Sequence, residues 1–246
     1  RTVTRPSFIE MAPFLYQESY GSAQIRGNAD LQNGYNYNID LRYELFEKNG
    51  DMLSITAYYK HLKAPIERVQ TLSGGSAVHS FRNADNGMAT GVEIEFRKEI
   101  VKDLRFGVNG SYMYTNVKLP EGGAYTNSQR ALQGASPYLA NADLTYSPAF
   151  SNDRQLSVAL LYNLQGPRIH SVGISGLGDI KQQPVHTLNF TGSYRFNRRF
   201  AVKLQVNDLL NQDILFKQEV PTTGDKVEVE RFRKGTGFEV GFSYDL

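Results

Sequence analysis

Four histidines, His61, His79, His170 and His186, are the side chains best suited to ligate a metal or relay a proton. None lies at the i,i+4 or one-apart spacing that makes a metal pair. They read as ordinary polar residues. With Cys 0, thiolate metal sites and disulfides are absent as well. A serine hydrolase needs a Ser–His pair with an orienting polar group, and the many serines offer no spacing that singles one out. Gly173-Ile-Ser-Gly176-Leu-Gly178 has the glycine content of a phosphate loop but not its order, and no helix follows it. Asn83-Ala-Asp85-Asn86-Gly87 lacks the distal bidentate Glu of a calcium loop and reads as a turn. Asn189-Phe190-Thr191 is a sequon placed mid-strand. Glu93, Glu95 and Arg97 share one strand face; they line a ligand path or, as the blander alternative, pair across strands in water. The residue types left for binding are Tyr125, Arg130, Arg168 and His170, all in two long polar loops. An Arg in such a loop can hold a carboxylate or a phosphate. No catalytic residue, metal or cofactor is expected.

The elements that carry these loops follow from composition and period. At 246 residues the chain makes one large β domain or two average ones. Hydrophobic content of 40% and a mean hydropathy of −0.43 leave no apolar run of helical length, because a membrane-crossing helix needs about 18 or more such residues. A membrane-crossing strand needs only about 9–11 residues with apolar side chains on alternate positions. Tyr 15 with Phe 14 makes an aromatic-rich count in which the amphipathic Tyr suits a membrane–water boundary, while Trp 0 leaves any aromatic girdle incomplete. A net charge of +2 argues against a nucleic-acid partner.

Alternation starts after a Pro-containing segment, loop or short helix, that leads into a loop running to about Gly34. Tyr35, Tyr37, Ile39, Leu41, Tyr43 and Leu45 share one face, with Asn36, Asn38, Asp40, Arg42 and Glu44 opposite. Lys48-Asn49-Gly50-Asp51 reads as a tight hairpin turn, because Asn-Gly accepts positive φ. Leu53, Ile55, Ala57 and Tyr59 return. A strand near Ile66–Thr71 reaches a turn at Ser73-Gly74-Gly75-Ser76, and the descending segment carries Val92, Ile94 and Phe96. Further alternating runs fall at 104–114, 138–146, 156–164, 188–196 and 200–206, and the chain closes on Phe238, Val240, Phe242, Tyr244 and Leu246. Connections are short at 47–51, 99–103, 149–154 and 197–199, and longer between, notably at 117–136 and 166–183. A loop near Pro221–Asp225 precedes the last strand. Short turns at one end and long loops at the other are the signature of an outer-membrane barrel, whereas a sandwich mixes its connection lengths. The pattern therefore predicts an all-β, antiparallel transmembrane barrel wall of about nine full strands plus an initial stub.

The terminal run Glu239-Val-Gly241-Phe-Ser-Tyr244-Asp-Leu246 resembles the C-terminal insertion signal of bacterial outer-membrane barrels, with Leu246 where most members carry Phe. Other stretches resemble TonB-dependent outer-membrane receptors of the Bacteroidetes type. They are Arg1-Thr-Val-Thr-Arg-Pro-Ser-Phe8 with Ala12-Pro13-Phe14, Gly27-Asn-Ala-Asp-Leu31, Gly91-Val-Glu-Ile-Glu95, Gln133-Gly-Ala-Ser-Pro-Tyr138 and Val206-Asn-Asp-Leu-Leu-Asn211. The resemblance runs over essentially the whole chain. It implies that residues 1–246 are the C-terminal portion, roughly ten strands, of a barrel of about 22 strands, with the plug domain and N-terminal strands outside this chain. It implies import of a scarce ligand such as a siderophore, cobalamin, haem, glycan or peptide. It also implies four partners: the TonB complex acting through the plug, the barrel-assembly machinery acting through the last strand, outer-membrane lipid and lipopolysaccharide, and a lipoprotein lid. An open sheet edge cannot persist in lipid, so these strands alone are not expected to insert.

Three rival readings remain on the residues alone. A plugless barrel would serve a structural, adhesive or assembly role. A soluble β-sandwich would bind glycans and partition into water rather than detergent. An enzymatic barrel would lose a hydrolase activity on mutation of one Ser or His.

Overall fold

The computed structural model describes residues 1–17, 24–47, 49–73, 76–119, 126–150, 153–173 and 176–244. In chain order, β1 (Thr2–Thr4) precedes a one-turn helix α1 (Phe8–Met11) and two short strands, β2 (Leu15–Tyr16) and β3 (Ile25–Arg26). A long hairpin follows, β4 (Gly34–Phe46) and β5 (Met52–Lys63), and then a shorter one, β6 (Ile66–Ser73) and β7 (Ser76–Asn83). The longest strands are β8 (Asn86–Val101) and β9 (Leu104–Lys118); β10 (Gln129–Arg130) is a two-residue strand. Next come β11 (Tyr138–Tyr146), β12 (Gln155–Gln165), β13 (Arg168–Ser171), β14 (Ile180–Gln182) and β15 (Val185–Arg195). The chain finishes with β16 (Phe200–Asn207), β17 (Ile214–Glu219), β18 (Lys226–Phe232) and β19 (Gly237–Tyr244).

Ten of these strands pair antiparallel in the order β1-β4-β5-β8-β9-β11-β12-β15-β16-β19 and form a wall. This is the stub and nine full strands that the alternation predicts. The register shows why the pattern is so regular. Leu41 lies opposite Ala57, which lies opposite Val92, then Tyr112, then Tyr138. Further along, Leu144, Leu160, Phe190, Val206 and Phe238 form a second such row. Successive side chains of a strand point to opposite faces, so a sheet in this register gathers most of its large apolar residues on one side, with Leu139 and Leu161 among the exceptions. That side is uncovered by protein: Ile39 is 73% exposed, Leu41 76%, Phe238 74% and Phe242 72%. The opposite face carries a polar ladder, in which Asn141 Nδ2 donates to Asn109 Oδ1 at 2.7 Å and Asn163 Nδ2 donates to Asn141 Oδ1. Arg42 pairs with Glu44, and Arg97 with Glu95, both at 2.6 Å. These pairs run along one strand rather than across two, which corrects the cross-strand pairing expected for Glu95 and Arg97.

At the short-turn end, Gly50 adopts φ 86° and its N–H donates to Glu47 O at 3.0 Å, the positive φ that the Asn-Gly pair supplies. Asp51 ties this turn to the next one. Its carboxylate accepts from Glu99 N at 2.9 Å and Asn49 Nδ2 at 2.9 Å, with Lys98 Nζ at 3.6 Å. The Glu99 amide, helped by Asn49 and Lys98, holds the Asp51 carboxyl below its ordinary value despite partial desolvation.

At the other end the long connections fold into two sheets of their own, β2-β3-β7-β6 and β13-β14-β17-β18, joined by one parallel bridge between Val69 and Val172. These sheets make a cap. The Ile66–Thr71 strand and its partner thus stand off the wall, and the loop near Pro221–Asp225 is the tip of the β17–β18 hairpin. The protein's own core lies here. Ile25, Leu31 and Phe81 pack with Met11, Tyr16 and Ile66, and Ala84, Val117, Leu119 and Val172 pack with Leu132.

Several of the motifs are joints of this cap. A Cβ on Gly27 would lie 2.3 Å from Ala12 O and 2.5 Å from Ala12 N; only glycine lets the two backbones meet. Asn28 donates to Phe81 O at 2.9 Å and accepts from Asp30 N at 3.0 Å. Asp208 takes φ 55° and its N–H donates to Asn189 Oδ1 at 2.9 Å, which occupies the Asn of the sequon. Asn83 donates to Gln32 O and Ala64 O, both at 2.9 Å, so the calcium-like stretch is a structural turn.

Candidate ligand cleft at the rim

The seam between the two cap sheets is polar. Glu67 of β6 and Arg130 of β10 form an ion pair there, with side chains 1% and 3% exposed. Arg68 N donates to Gln133 Oε1 at 2.5 Å, and Gln133 Nε2 donates to His170 O at 2.5 Å. Arg68 Nε donates to His79 Nδ1 at 2.9 Å, while His79 Nε2 and Ser171 Oγ are 3.3 Å apart. Thr126 N donates to Gly173 O at 3.3 Å. Each contact but that between Arg68 and His79 joins two different connections. Burial pushes the Glu67 carboxyl above its ordinary value; the adjacent Arg130 opposes this and the nearby Asp179 adds to it. Among the described residues Glu67 Oε1 and Arg130 Nε are buried without a hydrogen-bond partner, while the Gln133 backbone amide, like Arg130, favours the charged form of the Glu67 carboxylate.

Beside the seam the wall has a gap. β11 pairs with β9 up to Tyr112, and β10 pairs with β9 only at Val117 and Lys118. Met113 N still donates to Pro137 O at 2.8 Å, but over residues 114–116 the backbone ladder on that edge is interrupted, with Leu132 N donating instead to Thr115 Oγ1 at 2.9 Å. A cleft of about 590 Å³ occupies the gap, lined by Tyr112, Tyr114, Arg130, Arg168, Asp179 and Lys181 among others, within the size range of about 300–1,000 Å³ typical of small-molecule sites. Arg168 Nε donates to Gln182 Oε1 at 2.7 Å, a neutral acceptor. Asp179 Oδ1 is occupied by the Gly173 N–H at 2.9 Å.

Of the loop residues singled out for binding, Arg130 and Arg168 line this one cleft. Arg130 differs from the expectation of an open cation, because the guanidinium already pairs with a carboxylate of this chain and faces little solvent. His170 lies across the seam, its ring edge-on to Phe216 at 4.9 Å. Tyr125 lies outside the described residues. In the terminal strand, Tyr244 lies opposite Phe200 on the apolar face and is 61% exposed. Glu239 and Gly241 lie in the other register, opposite Gln205 and Lys203, and Leu246 lies outside the described residues. Sequence reasoning did not single out Glu67 or Lys181. The signal for Glu67 was its phase, since it shares a strand face with Val69, an odd place for an unpaired carboxylate.

A sequence model described as the outer membrane protein beta-barrel family matches residues 1–244. The chain belongs to that family. No curated protein matches the sequence. Among solved structures the barrel is similar to a G324V mutant of the ferric enterobactin receptor PfeA of Pseudomonas aeruginosa, with 17% identity, a TM-score of 0.61, and coverage of 98% of this chain and 36% of that one. It is similar to the ferric yersiniabactin uptake receptor FyuA of Yersinia pestis, with 16% identity, a TM-score of 0.58, and coverage of 87% and 30%. The copper transporter OprC gives 15% identity, a TM-score of 0.61, and coverage of 89% and 32%. The chain thus spans about a third of the length of the receptors whose fold it shares. In an outer-membrane barrel the uncovered apolar face meets lipid, the short turns face the periplasm and the long connections face outside. The protein is a bacterial outer-membrane barrel wall with an extracellular cap.

Proposed function

We propose that this chain is part of a TonB-dependent receptor that captures a scarce ligand with its extracellular cap and imports it through the barrel. The observation that carries the reading is the cap. The long connections fold over one mouth of the wall and place a cleft with two arginines and a lysine beside a polar seam, on a fold shared with ferric-siderophore receptors and a copper transporter. Residues 1–246 then form the C-terminal strands of the barrel, with a plug and further strands elsewhere in the full protein, which is of the Bacteroidetes type. Work of this kind is binding and transport, without covalent chemistry. Tyr125, Arg168 and His170 are the proposed ligand contacts, while Arg130 holds the cap together. Glu239, Gly241, Tyr244 and Leu246 are proposed as the signal read by the barrel-assembly machinery, and a lipoprotein lid is a further proposed partner.

The test is uptake by cells carrying or lacking the full-length gene, using a panel of labelled ferric siderophores, cobalamin, haem, oligosaccharides and peptides. The reading predicts accumulation of one class that requires both the gene and an intact TonB complex. Equal accumulation in both strains for every class would refute it.

A further inference from the structure

The interrupted ladder beside β9 has charge as well as space. Arg130 is neutralised by Glu67, but Arg168 donates to neutral amides, those of Gln182 and, with its O and N exchanged, Gln165, and neither Arg168 nor Lys181 has a carboxylate in salt-bridge range among the described residues. Asp179, the carboxylate in the lining, already accepts the Gly173 amide. The cleft therefore presents two cations against one acidic group. Its lining draws on both faces of β9, since Tyr112 and Tyr114 belong to the lipid-facing register and Met113 and Thr115 to the opposite one. It also lies at the extracellular end of the wall, next to β10 and the cap. A cationic notch reaching the lipid-facing side at that height meets two kinds of oxyanion: the phosphates of outer-leaflet headgroups and soluble anions from outside. Arginine donates to two oxygens of a phosphate or carboxylate at once, and lysine adds a point charge.

We infer that this notch is an oxyanion site, in which Arg168 and Lys181 hold a phosphate or carboxylate group while the rings of Tyr112 and Tyr114 flank it. The site shares its cleft and Arg168 with the proposed import site, but oxyanion binding to it is measured directly and does not require that the receptor import a ligand.

The full-length protein, purified in detergent, would be tested by native mass spectrometry and calorimetry with two kinds of probe. One is inorganic phosphate; the other is lipopolysaccharide, intact or enzymatically dephosphorylated. We expect saturable binding of at least one phosphorylated probe, weakened about tenfold or more in Arg168→Gln/Lys181→Gln, the scale of one lost charged hydrogen bond. Binding of inorganic phosphate identifies a soluble anion as sufficient; binding of intact but not dephosphorylated lipopolysaccharide identifies a headgroup. Lys181→Gln alone, whose side chain is exposed, keeps the test valid if the double variant misfolds, as judged by heat-modifiable mobility on gels. No saturable binding of any probe, or binding equal in wild type and folded variants, would overturn the site.

Discussion

The wall and the cap obey one alternating pattern and bury it against different solvents. In the wall, Leu41 is 76% exposed and Ile39 73%, because protein covers neither. In the cap, Ile25 is 0% exposed and Val172 1%, each packed into a small core. Alternation reports that a strand has an apolar face. It does not report whether lipid or protein will cover that face, which is why a soluble sandwich and a membrane barrel remained rivals on the residues alone. Connection length separates the two regions, and the difference in covering should separate their responses to mutation.

The largest contrast should come from the seam. Arg130→Ala leaves Glu67 as a buried, unpaired carboxylate, which costs about 3–5 kcal/mol. Hydrogen exchange should show that loss in β6, β10 and the Val69–Val172 bridge, with the heat-modifiable mobility of the wall unchanged. Glu67→Leu/Arg130→Leu, which removes both charges together, should recover most of the loss. A somewhat smaller effect is expected in the wall. Leu41→Arg, near the middle of β4, should destabilise by about 2–4 kcal/mol in urea titrations of the refolded full-length barrel, against well under 1 kcal/mol for Thr56→Arg on the water-facing side. Gly27→Ala should act on the cap alone. It forces a Cβ against the Ala12 backbone, an overpacking worth about 1–3 kcal/mol, read as faster proteolysis near residue 27.

Much of the fold was legible because wall strands repeat one rule many times. Asn49-Gly50 gave its turn, and the rows from Tyr35 to Leu45 and from Leu53 to Tyr59 gave their register. The β6–β7 hairpin was harder. Its strands alternate like wall strands, and only the pairing of Lys63 with Asn86 across the hairpin shows that the wall bypasses it. The cleft was legible in part. Arg130 and Arg168 stood out as loop arginines, but the partner that neutralises Arg130 is 63 residues away in sequence, beyond the reach of any local pattern. Gly27, Asn28, Gln133 and Asp208, by contrast, stood out as motif residues and proved to be joints where chain segments touch.

The smallest predicted effects concern pH, and the two cap regions should differ in sign. Hydrogen bonds from Arg233 and Arg231 hold the Asp213 and Glu228 carboxyls below their ordinary values at the β17–β18 hairpin. Their contribution is present above the ordinary carboxylate range of about 4 and is lost as pH falls through the lowered values. Glu67 is shifted the other way by burial. Its contribution is fully present below about 4.3 and is lost as pH rises through the raised value. Opening free energies from hydrogen exchange, corrected for intrinsic rates, should therefore rise at the seam as pH is lowered through the raised Glu67 value toward the ordinary carboxylate range. At the exposed hairpin they should fall slightly, and only under more acidic conditions.

The central claim is that one face of the wall meets lipid and the other water. The sequence contains Cys 0, so single cysteines placed in the full-length protein report without background. Leu41, Val92, Leu144 and Leu204 should resist a charged maleimide in intact outer membranes, and fluorophores attached there after unfolding and refolding into bilayers should be quenched by lipid nitroxides. Thr56, Asn109, Asn141 and Thr191 should show the reverse. Equal labelling of both sets, or quenching at the second set, would contradict the account.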